Sequence, residues 1–186
     1  MTSIADLIRK LRSHENKRVL EAVEELRVRG WLSDGSLNTV PLCHVHMERA
    51  DLIGAKLNNV DLHQADFRWA DLSMADLSGC DLSRVRFQEA NLSAANLAGA
   101  DLYKANLQGA RNLTDEQLAQ AKRLYGAIMP DGSAYDGCYN LSGDLQFAQW
   151  GKVDPQDAQA MAEFLGVPLE VYLQGQQRKV VSLRGV

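Results

Sequence analysis

Large apolar residues recur at every fifth position through the middle of the chain. Leu or Phe occupies each fifth position from Leu52 to Leu107. A small residue (Ala, Val or Cys) lies two positions before each of them, and the position between is Asp or Asn in ten of the twelve units. The large residues are Leu52, Leu57, Leu62, Phe67, Leu72, Leu77, Leu82, Phe87, Leu92, Leu97, Leu102 and Leu107. A repeat this regular is typical of stacked structural units, so it predicts architecture more directly than activity.

A period of five fits neither an α-helix nor a plain β-strand. Five residues turn a helix by about 500°, so the large residues would spiral around it. In a strand, side chains alternate with period two, so an odd spacing would place them on both faces. The pattern instead predicts two inward positions followed by a bend, for which Gly79, Gly99 and Gly109 are suited at the last repeat position. A chain that bends every five residues winds into a narrow tube whose coils pair about 4.8 Å apart.

Units such as Ala70-Asp71-Leu72-Ser73-Met74 resemble the pentapeptide-repeat family. The resemblance implies a β solenoid, a right-handed quadrilateral parallel β-helix with four pentapeptides per coil and the leucines at its centre. The repeat register extends backwards with weaker consensus to Leu37. We therefore predict a solenoid domain over 34–112, with three to four coils, which the extra residue after Ala110 ends.

The segment before the repeat, 1–33, is predicted to form a helical cap. Residues 3–29 contain two amphipathic helical patterns, and Gly30 ends the second. Trp31 and Leu32 follow and are placed to lie over the first coil. An open solenoid end exposes unpaired strand edges, so we expect α-helices to cap the tube at both ends.

The segment after the repeat, 113–175, is predicted to be an extension of helices and loops. A capping box at Thr114 opens a helix that is expected to run to about Leu124, and a glycine-rich loop follows over 126–143. A further helix is predicted to begin at Asp154-Pro155 and end at Gly166, a short one to run from Pro168 to Leu173, and 176–186 to form a polar tail. The extension resembles one found on bacterial pentapeptide-repeat proteins, and that resemblance implies no particular chemistry.

The length of the chain fits one domain, and its cysteine count favours a reducing compartment. The chain has 186 residues, of which 46% are hydrophobic, and no apolar run reaches the length of a membrane span. We therefore expect no membrane partner. The cysteines Cys43, Cys80 and Cys138 are an odd number without metal-site spacing, which favours the cytoplasm. Cys80 takes a small inward position and is expected to fill the core.

Candidate metal ligands and catalytic motifs are sparse. Cys43, His44, His46 and His63 are the best metal candidates, but the first two point outward in the register and His63 lies on a different unit. No Cys-x-x-Cys or His-x-x-x-His spacing supports a site. The motifs of serine hydrolases, zinc proteases and phosphate-binding loops do not occur. The sequence therefore predicts no cofactor and no metal site, and it favours a protein that is not an enzyme.

Four units per coil would stack residues twenty apart on one face. Asp61, Asp81 and Asp101 would then form a column of carboxylates. These carboxylates either accept hydrogen bonds from backbone N–H groups at the corners or imitate the phosphate charges of DNA. The second interpretation follows from the resemblance, since some pentapeptide-repeat proteins modulate DNA gyrase by presenting a DNA-like rod. Residues 50–109 carry eight acidic and five basic side chains, a net charge of −3, which imitates a polyanion weakly.

The favoured function is a non-catalytic scaffold that binds a protein partner and makes no direct contact with nucleic acid. Arg68 and Trp69 occupy outward positions, and their side-chain types are those of an interface hot spot. In the alternative, Trp69 packs against the side of the solenoid or is covered by a terminal helix. The alternatives are a gyrase or topoisomerase modulator, a structural subunit of a larger assembly, and an unrecognised enzyme. The apolar C-terminal helices also allow a homodimer, with Phe164 and Tyr172 at the seam.

Overall fold

The computed structural model describes residues 2–38 and 40–182, and the side chains among these up to residue 178. A coiled central segment lies between two sets of helices. The helices are α1 (Ile4–Leu11), α2 (Asn16–Val28), α3 (Asp115–Leu118), α4 (Ser142–Trp150), α5 (Ala158–Leu165) and α6 (Leu169–Ser182). Among the described residues, no helix combines the length and the apolarity needed to cross a membrane.

Parallel pairing between residues twenty apart builds the central segment. Bridges join His46 to Asp66 and, at the far end of the regular series, Asn91 to Arg111. In one typical layer, the Leu72 N–H donates to the Asn91 carbonyl of the next coil at 2.8 Å. Each bridge involves a single residue per coil, so the pairing forms a column of short steps rather than a broad sheet. The predicted stacking of residues twenty apart is confirmed.

The chain turns at the fifth position of every unit. At these positions φ is positive, between +54° and +69°, from His44 to Gly109. At one corner the Ala75 N–H donates to the Leu72 carbonyl at 3.0 Å, and Met74, with φ +58°, is the third residue of that turn. A positive φ at this place defines a type II turn. The predicted corner role of Gly79 and Gly99 is confirmed by their φ values of +66° and +69°.

The interior of the solenoid is a column of large side chains surrounded by small ones. The Leu and Phe residues at the centre of the units, from Leu52 to Leu107, are at most 1% exposed. The rings of Phe67 and Phe87, in adjacent coils, stack with centroids 5.5 Å apart. Cys80 is buried as expected, its thiol donates to the Leu57 carbonyl, and burial raises the pKa of Cys80 to about 12. This cysteine is therefore a neutral part of the core.

The coiled path continues beyond the predicted end at 112. Parallel bridges join Asp101 to Arg123 and Asn106 to Ile128, with a spacing of twenty-two residues instead of twenty. The short helix α3 replaces one side of this last coil and ends at Leu118, so the prediction of a helix to about Leu124 is wrong. Leu124 instead returns to the core, fully buried. The residues after Ala110 interrupt the repeat without ending it.

The C-terminal helices differ from those predicted. Helix α4 lies at the end of the expected loop and beyond it, and no helix was predicted there. Helix α5 begins at Ala158 with Asp157 as its cap, so the predicted start at Asp154-Pro155 is wrong. Gly166, with φ +72°, ends α5 as predicted. Helix α6 extends well past Leu173 to Ser182, which takes in much of the expected polar tail; residues 183–186 lie outside the described residues.

Both sets of helices bond to the ends of the coiled segment. At the N-terminal side, the Lys56 N–H donates to the Leu32 carbonyl at 2.7 Å, and Arg27 forms an ion pair with Asp51 at 2.5 Å. At the C-terminal side, the Gly143 N–H donates to the Lys122 carbonyl at 3.0 Å. A cluster of aromatic rings continues this contact and comprises Tyr103, Tyr125, Phe147 and Phe164.

Asp144 joins α4 to the last coil and has an unusual protonation equilibrium. Its carboxylate is 3% exposed and accepts the N–H groups of Leu124 and Tyr125 at 3.1 and 2.9 Å. Burial raises the pKa of Asp144 to about 6, although these two hydrogen bonds oppose the rise. Because the folded state holds the proton more tightly than the unfolded state, this residue stabilises the protein most at low pH. That contribution is lost as pH rises through about 6.

Asp144→Asn is therefore expected to stabilise the protein above neutral pH. The amide oxygen can accept the same two N–H groups without a buried charge, whose cost at pH 7.5 is about 3 kcal/mol. We expect the Tm of the variant to exceed that of the wild type by several degrees at pH 7.5. Near pH 4, where Asp144 is protonated, we expect the two Tm values to be equal. Asp154→Asn is the matched control, since this exposed carboxylate also accepts an N–H, from Gln156 at 2.9 Å. Equal Tm differences at the two pH values would contradict the assignment.

Candidate interaction surface

Trp69 lies at a corner of the solenoid, and two arginines lie close to its ring. The indole is 47% exposed, so it is neither in the core nor covered by a terminal helix. The guanidinium carbon of Arg49 lies 5.4 Å from the ring centroid, and that of Arg68 lies at the same distance. Arg49 precedes Trp69 by twenty residues and occupies the same corner one coil earlier. Arg49, Arg68 and Trp69 together are called the Trp69 surface below.

Carboxylates hold Arg68 in place beside the ring. The Nε and one terminal nitrogen of Arg68 donate to Asp66 at 2.8 Å each, and the same terminal nitrogen lies 3.1 Å from Glu48. Arg86, one coil later, donates to Asp66 at 3.2 Å. Burial opposes ionisation of Asp66, which is 2% exposed, but the arginine hydrogen bonds outweigh it and lower its pKa. The network therefore stays charged and fixes Arg68 at neutral pH.

The carboxylates around Arg68 also form a possible metal-ligand group with His46. One ligand atom from each of His46, Glu48 and Asp66 lies within 4.8 Å of the others. The guanidinium of Arg68 already supplies the cation for both carboxylates. A metal ion would have to displace an arginine that is charged under all ordinary conditions, so this group is better explained as an arginine clamp.

The acidic column has the stacking that the sequence predicts. Asp61 bridges to Asp81 and Asp81 to Asp101. Each carboxylate accepts the N–H of the residue two positions later, at 3.1, 2.9 and 3.0 Å respectively. At the end of the column, Arg123 donates to Asp101 at 3.0 Å. The hydrogen bonds support the structural explanation, in which these side chains stabilise the corners.

The two residues predicted at a dimer seam lie against their own chain. Tyr172 is 5% exposed, and the ring of Phe164 contacts Tyr125 with centroids 4.6 Å apart. Tyr172 is therefore not available to a second copy in this conformation. The exposed apolar side chains of this region are instead Trp150, Leu169 and Leu173, at 78%, 36% and 42%. The homodimer stays a prediction.

Sequence reasoning missed Arg49, although the signal was present. Once residues twenty apart are known to stack, Trp69 must lie over residue 49. The same rule places His63 beside Cys43, although the two residues are twenty positions apart and do not have a ligand spacing known from metal motifs.

Comparison with known proteins identifies the repeat. The profile of a family described as Pentapeptide repeats matches residues 46–84 and 80–111, with eight copies. Residues 46–111 are therefore pentapeptide repeats, and this central segment is a right-handed β-helix solenoid, which confirms the resemblance drawn from the sequence. The search of curated proteins found no match.

Solved pentapeptide-repeat proteins are also similar to this chain. HetL from the cyanobacterium Nostoc sp. strain PCC 7120, involved in heterocyst differentiation regulation, is 44% identical over 52% of this chain and 41% of its own, with a TM-score of 0.45. AT2G44920 from the Arabidopsis thaliana thylakoid lumen is 22% identical, over 73% and 90% of the two chains, with a TM-score of 0.45. The protein alr5209 from Nostoc PCC 7120 is 26% identical over 59% of this chain and 74% of its own, with a TM-score of 0.39. This chain thus spans less than half the length of HetL.

Proposed function

We propose that the protein is a non-catalytic scaffold that binds a protein partner through the Trp69 surface. The scaffold is a quadrilateral β-helix of three to four coils, with helices over both ends. The observation that carries the proposal is that Trp69 is 47% exposed on a solenoid corner while the guanidinium groups of Arg49 and Arg68 each lie 5.4 Å from its ring centroid. Met74 and Ile53 are also exposed apolar side chains of the solenoid, but neither has an aromatic ring with two guanidinium groups beside it, as Trp69 has.

Rigidity makes this surface suitable for binding. The backbone at Trp69 is held by a hydrogen bond from its N–H to the Gln88 carbonyl at 3.0 Å, and Arg68 is held by two carboxylates. A side chain that is already ordered loses less conformational entropy when a partner docks. Trp and Arg are also the residue types that most often dominate binding free energies in protein interfaces. The surface therefore combines contact area with low ordering cost.

Charge pairing favours a protein partner over imitation of DNA. Of the carboxylates in the solenoid, Asp51 pairs with Arg27, Asp66 with Arg68, and Asp101 with Arg123. Each pair cancels a negative charge that a DNA mimic would have to present. Double-stranded DNA carries one negative charge per about 1.7 Å of its axis. The acidic side chains that remain unpaired do not reach this charge density. Unchanged gyrase supercoiling in the presence of the purified protein is therefore the expected result.

The proposed setting is a bacterial cytoplasm. The three cysteines Cys43, Cys80 and Cys138 are all free thiols in the structure, which is the common state in a reducing compartment. A structural subunit of a larger assembly could use the same surface. That role differs from the scaffold only in the lifetime of the complex with the partner.

Trp69→Ala is expected to weaken partner capture with little effect on stability. Loss of a central interface tryptophan costs about 2 kcal/mol or more, roughly a thirtyfold increase in Kd. Because the ring is half exposed, the Tm should fall by no more than a few degrees. The measurement is quantitative mass spectrometry of proteins captured by each variant, followed by titration of the partner that is lost.

Met74→Ala is the matched control for this test. Met74 is also an apolar corner residue, 65% exposed, and follows Trp69 by one unit. It should leave the captured partner unchanged. Equal capture by the wild type and both variants would overturn the proposed surface, and a large fall in Tm for Trp69→Ala would show that the ring is part of the core.

A further inference from the structure

A cysteine and two histidines converge on another corner of the solenoid. One ligand atom from each of Cys43, His44 and His63 lies within 4.8 Å of the other two. Cys43 and His63 are twenty residues apart, so they occupy equivalent positions on adjacent coils. The His44 N–H donates to the His63 carbonyl at 2.9 Å, which fixes the separation of the two backbones. The convergence is therefore a product of coil stacking.

The three side chains match the chemistry of a zinc site. Zn²⁺ is bound by cysteine thiolate at about 2.3 Å and by histidine nitrogen at about 2.0–2.1 Å, usually with tetrahedral geometry. Three protein ligands of this kind leave a fourth position for water or another donor. His44 is exposed and the other two side chains are partly exposed, so they have room to rotate toward an ion between them.

A nearby carboxylate adds to the electrostatic fit. Asp61 Oδ1 lies 3.9 Å from His63 Nδ1, and the same oxygen accepts the His63 N–H at 3.1 Å. A carboxylate beside a ligating imidazole orients the ring and raises its basicity, which is a common arrangement around zinc. A negative charge at this distance also favours a divalent cation. Asp61 thus has a use that the acidic column alone does not suggest.

We propose that Cys43, His44 and His63 form a binding site for Zn²⁺, with Asp61 as a positioning residue and a water molecule as the fourth ligand. Binding deprotonates the Cys43 thiol, and the proton passes to solvent. The ion links the coil of Cys43 and His44 to the coil of His63. It therefore stabilises the early part of the solenoid, where the repeat consensus is weakest.

The test measures metal binding to the full-length protein in two ways. Competition with a chromophoric chelator gives the Zn²⁺ affinity and stoichiometry, for which one ion per chain is expected. Co²⁺ substitution reports the ligands, because a thiolate on tetrahedral Co²⁺ produces a charge-transfer absorption and intense ligand-field bands. Addition of Zn²⁺ should abolish this spectrum and should raise the Tm of the wild type.

The variants separate this site from other thiols and imidazoles. Cys43→Ser should abolish the charge-transfer absorption, and His63→Gln should weaken Zn²⁺ binding more than Asp61→Asn, for which about a tenfold loss is expected. Cys138→Ser and His14→Gln are the controls, because neither residue belongs to the converging group, and both should bind as the wild type does. Circular dichroism of each metal-free variant checks that the fold is retained.

Two results would overturn the proposal. One is a Zn²⁺ affinity that Cys43→Ser and His63→Gln leave unchanged, which would place the metal elsewhere. The other is the lack of any stoichiometric binding at micromolar Zn²⁺, which would leave the edge-on contact of the His44 and His63 rings, with centroids 4.6 Å apart, as the reason for the convergence.

Discussion

A chain that ends after Ala127 is expected to aggregate or to melt far below the full-length protein. The truncation removes Ile128, which bridges to Asn106, and removes helix α4, whose Asp144 accepts two N–H groups of the last coil. It also removes the ring of Phe147, which lies 5.0 Å from that of Tyr125. The last coil would then expose unpaired backbone groups and apolar side chains, which is a template for aggregation.

Light scattering and calorimetry distinguish the possible outcomes of this truncation. A chain that ends after Ser182 keeps every described contact and serves as the control, with an unchanged Tm. A truncated protein that remains a stable monomer, while the full-length protein is a dimer, would show that the C-terminal helices associate rather than cap. A truncated protein unchanged in both mass and Tm would contradict both roles.

Phe67→Ala is expected to destabilise the solenoid by about 3–5 kcal/mol, a loss of roughly 10 °C in Tm. Phe67 is fully buried and stacks on Phe87 of the next coil, so its removal leaves a cavity between two coils that the backbone pairing holds apart. Phe67→Leu should cost less than about 1.5 kcal/mol, because Leu fills the same position in the units on either side, at Leu62 and Leu72.

Urea and thermal unfolding measure this pair of variants. A similar loss for both would show that ring stacking, rather than filled volume, holds adjacent coils together. A small loss for both would show that neighbouring coils collapse into the space, which the pairing of Leu72 with Asn91 makes difficult.

The solenoid could be predicted because each unit repeats the same local pattern of small, polar and large apolar residues. The exit from the repeat could not, because two additional residues and a helical turn between Ala110 and Arg123 shift the spacing from twenty to twenty-two. Leu124 and Ala127 then return to the core with the spacing that Leu72 and Ala75 have within the repeat. A search for period five ends at the interruption, whereas hydrogen bonding between coils continues across it.

Helix α4 was missed because its glycine serves a tertiary contact. Gly143 suggests a loop in a local interpretation, yet a Cβ at this position would lie 2.7 Å from the Lys122 carbonyl oxygen. The glycine allows the helix to approach the last coil closely enough for the Gly143 N–H to bond to that oxygen. Glycine's low helix propensity is outweighed by a contact that the sequence alone does not display.

The candidate surface was predicted only in part. The outward positions of Arg68 and Trp69 followed from the repeat register, but the clamp on Arg68 depends on Glu48 of the preceding coil. Burial of Tyr172 was not predictable either, because it depends on how α6 packs against the loop at Gly137, where a Cβ would lie 3.2 Å from the Tyr172 ring. Contacts between distant elements set both outcomes.

The corners determine which changes the outer surface can accept. Fourteen consecutive corner positions, from His44 to Gly109, have a positive φ, and their occupants range from glycine and alanine to arginine, glutamate and tryptophan. None is valine, isoleucine, threonine or proline, the residues for which this backbone conformation is costly or closed. Side chains of different charge, size and aromaticity are therefore tolerated at these positions, whereas residues branched at Cβ are disfavoured. The rod can acquire a new recognition face by single substitutions at its edges without altering the path of its chain.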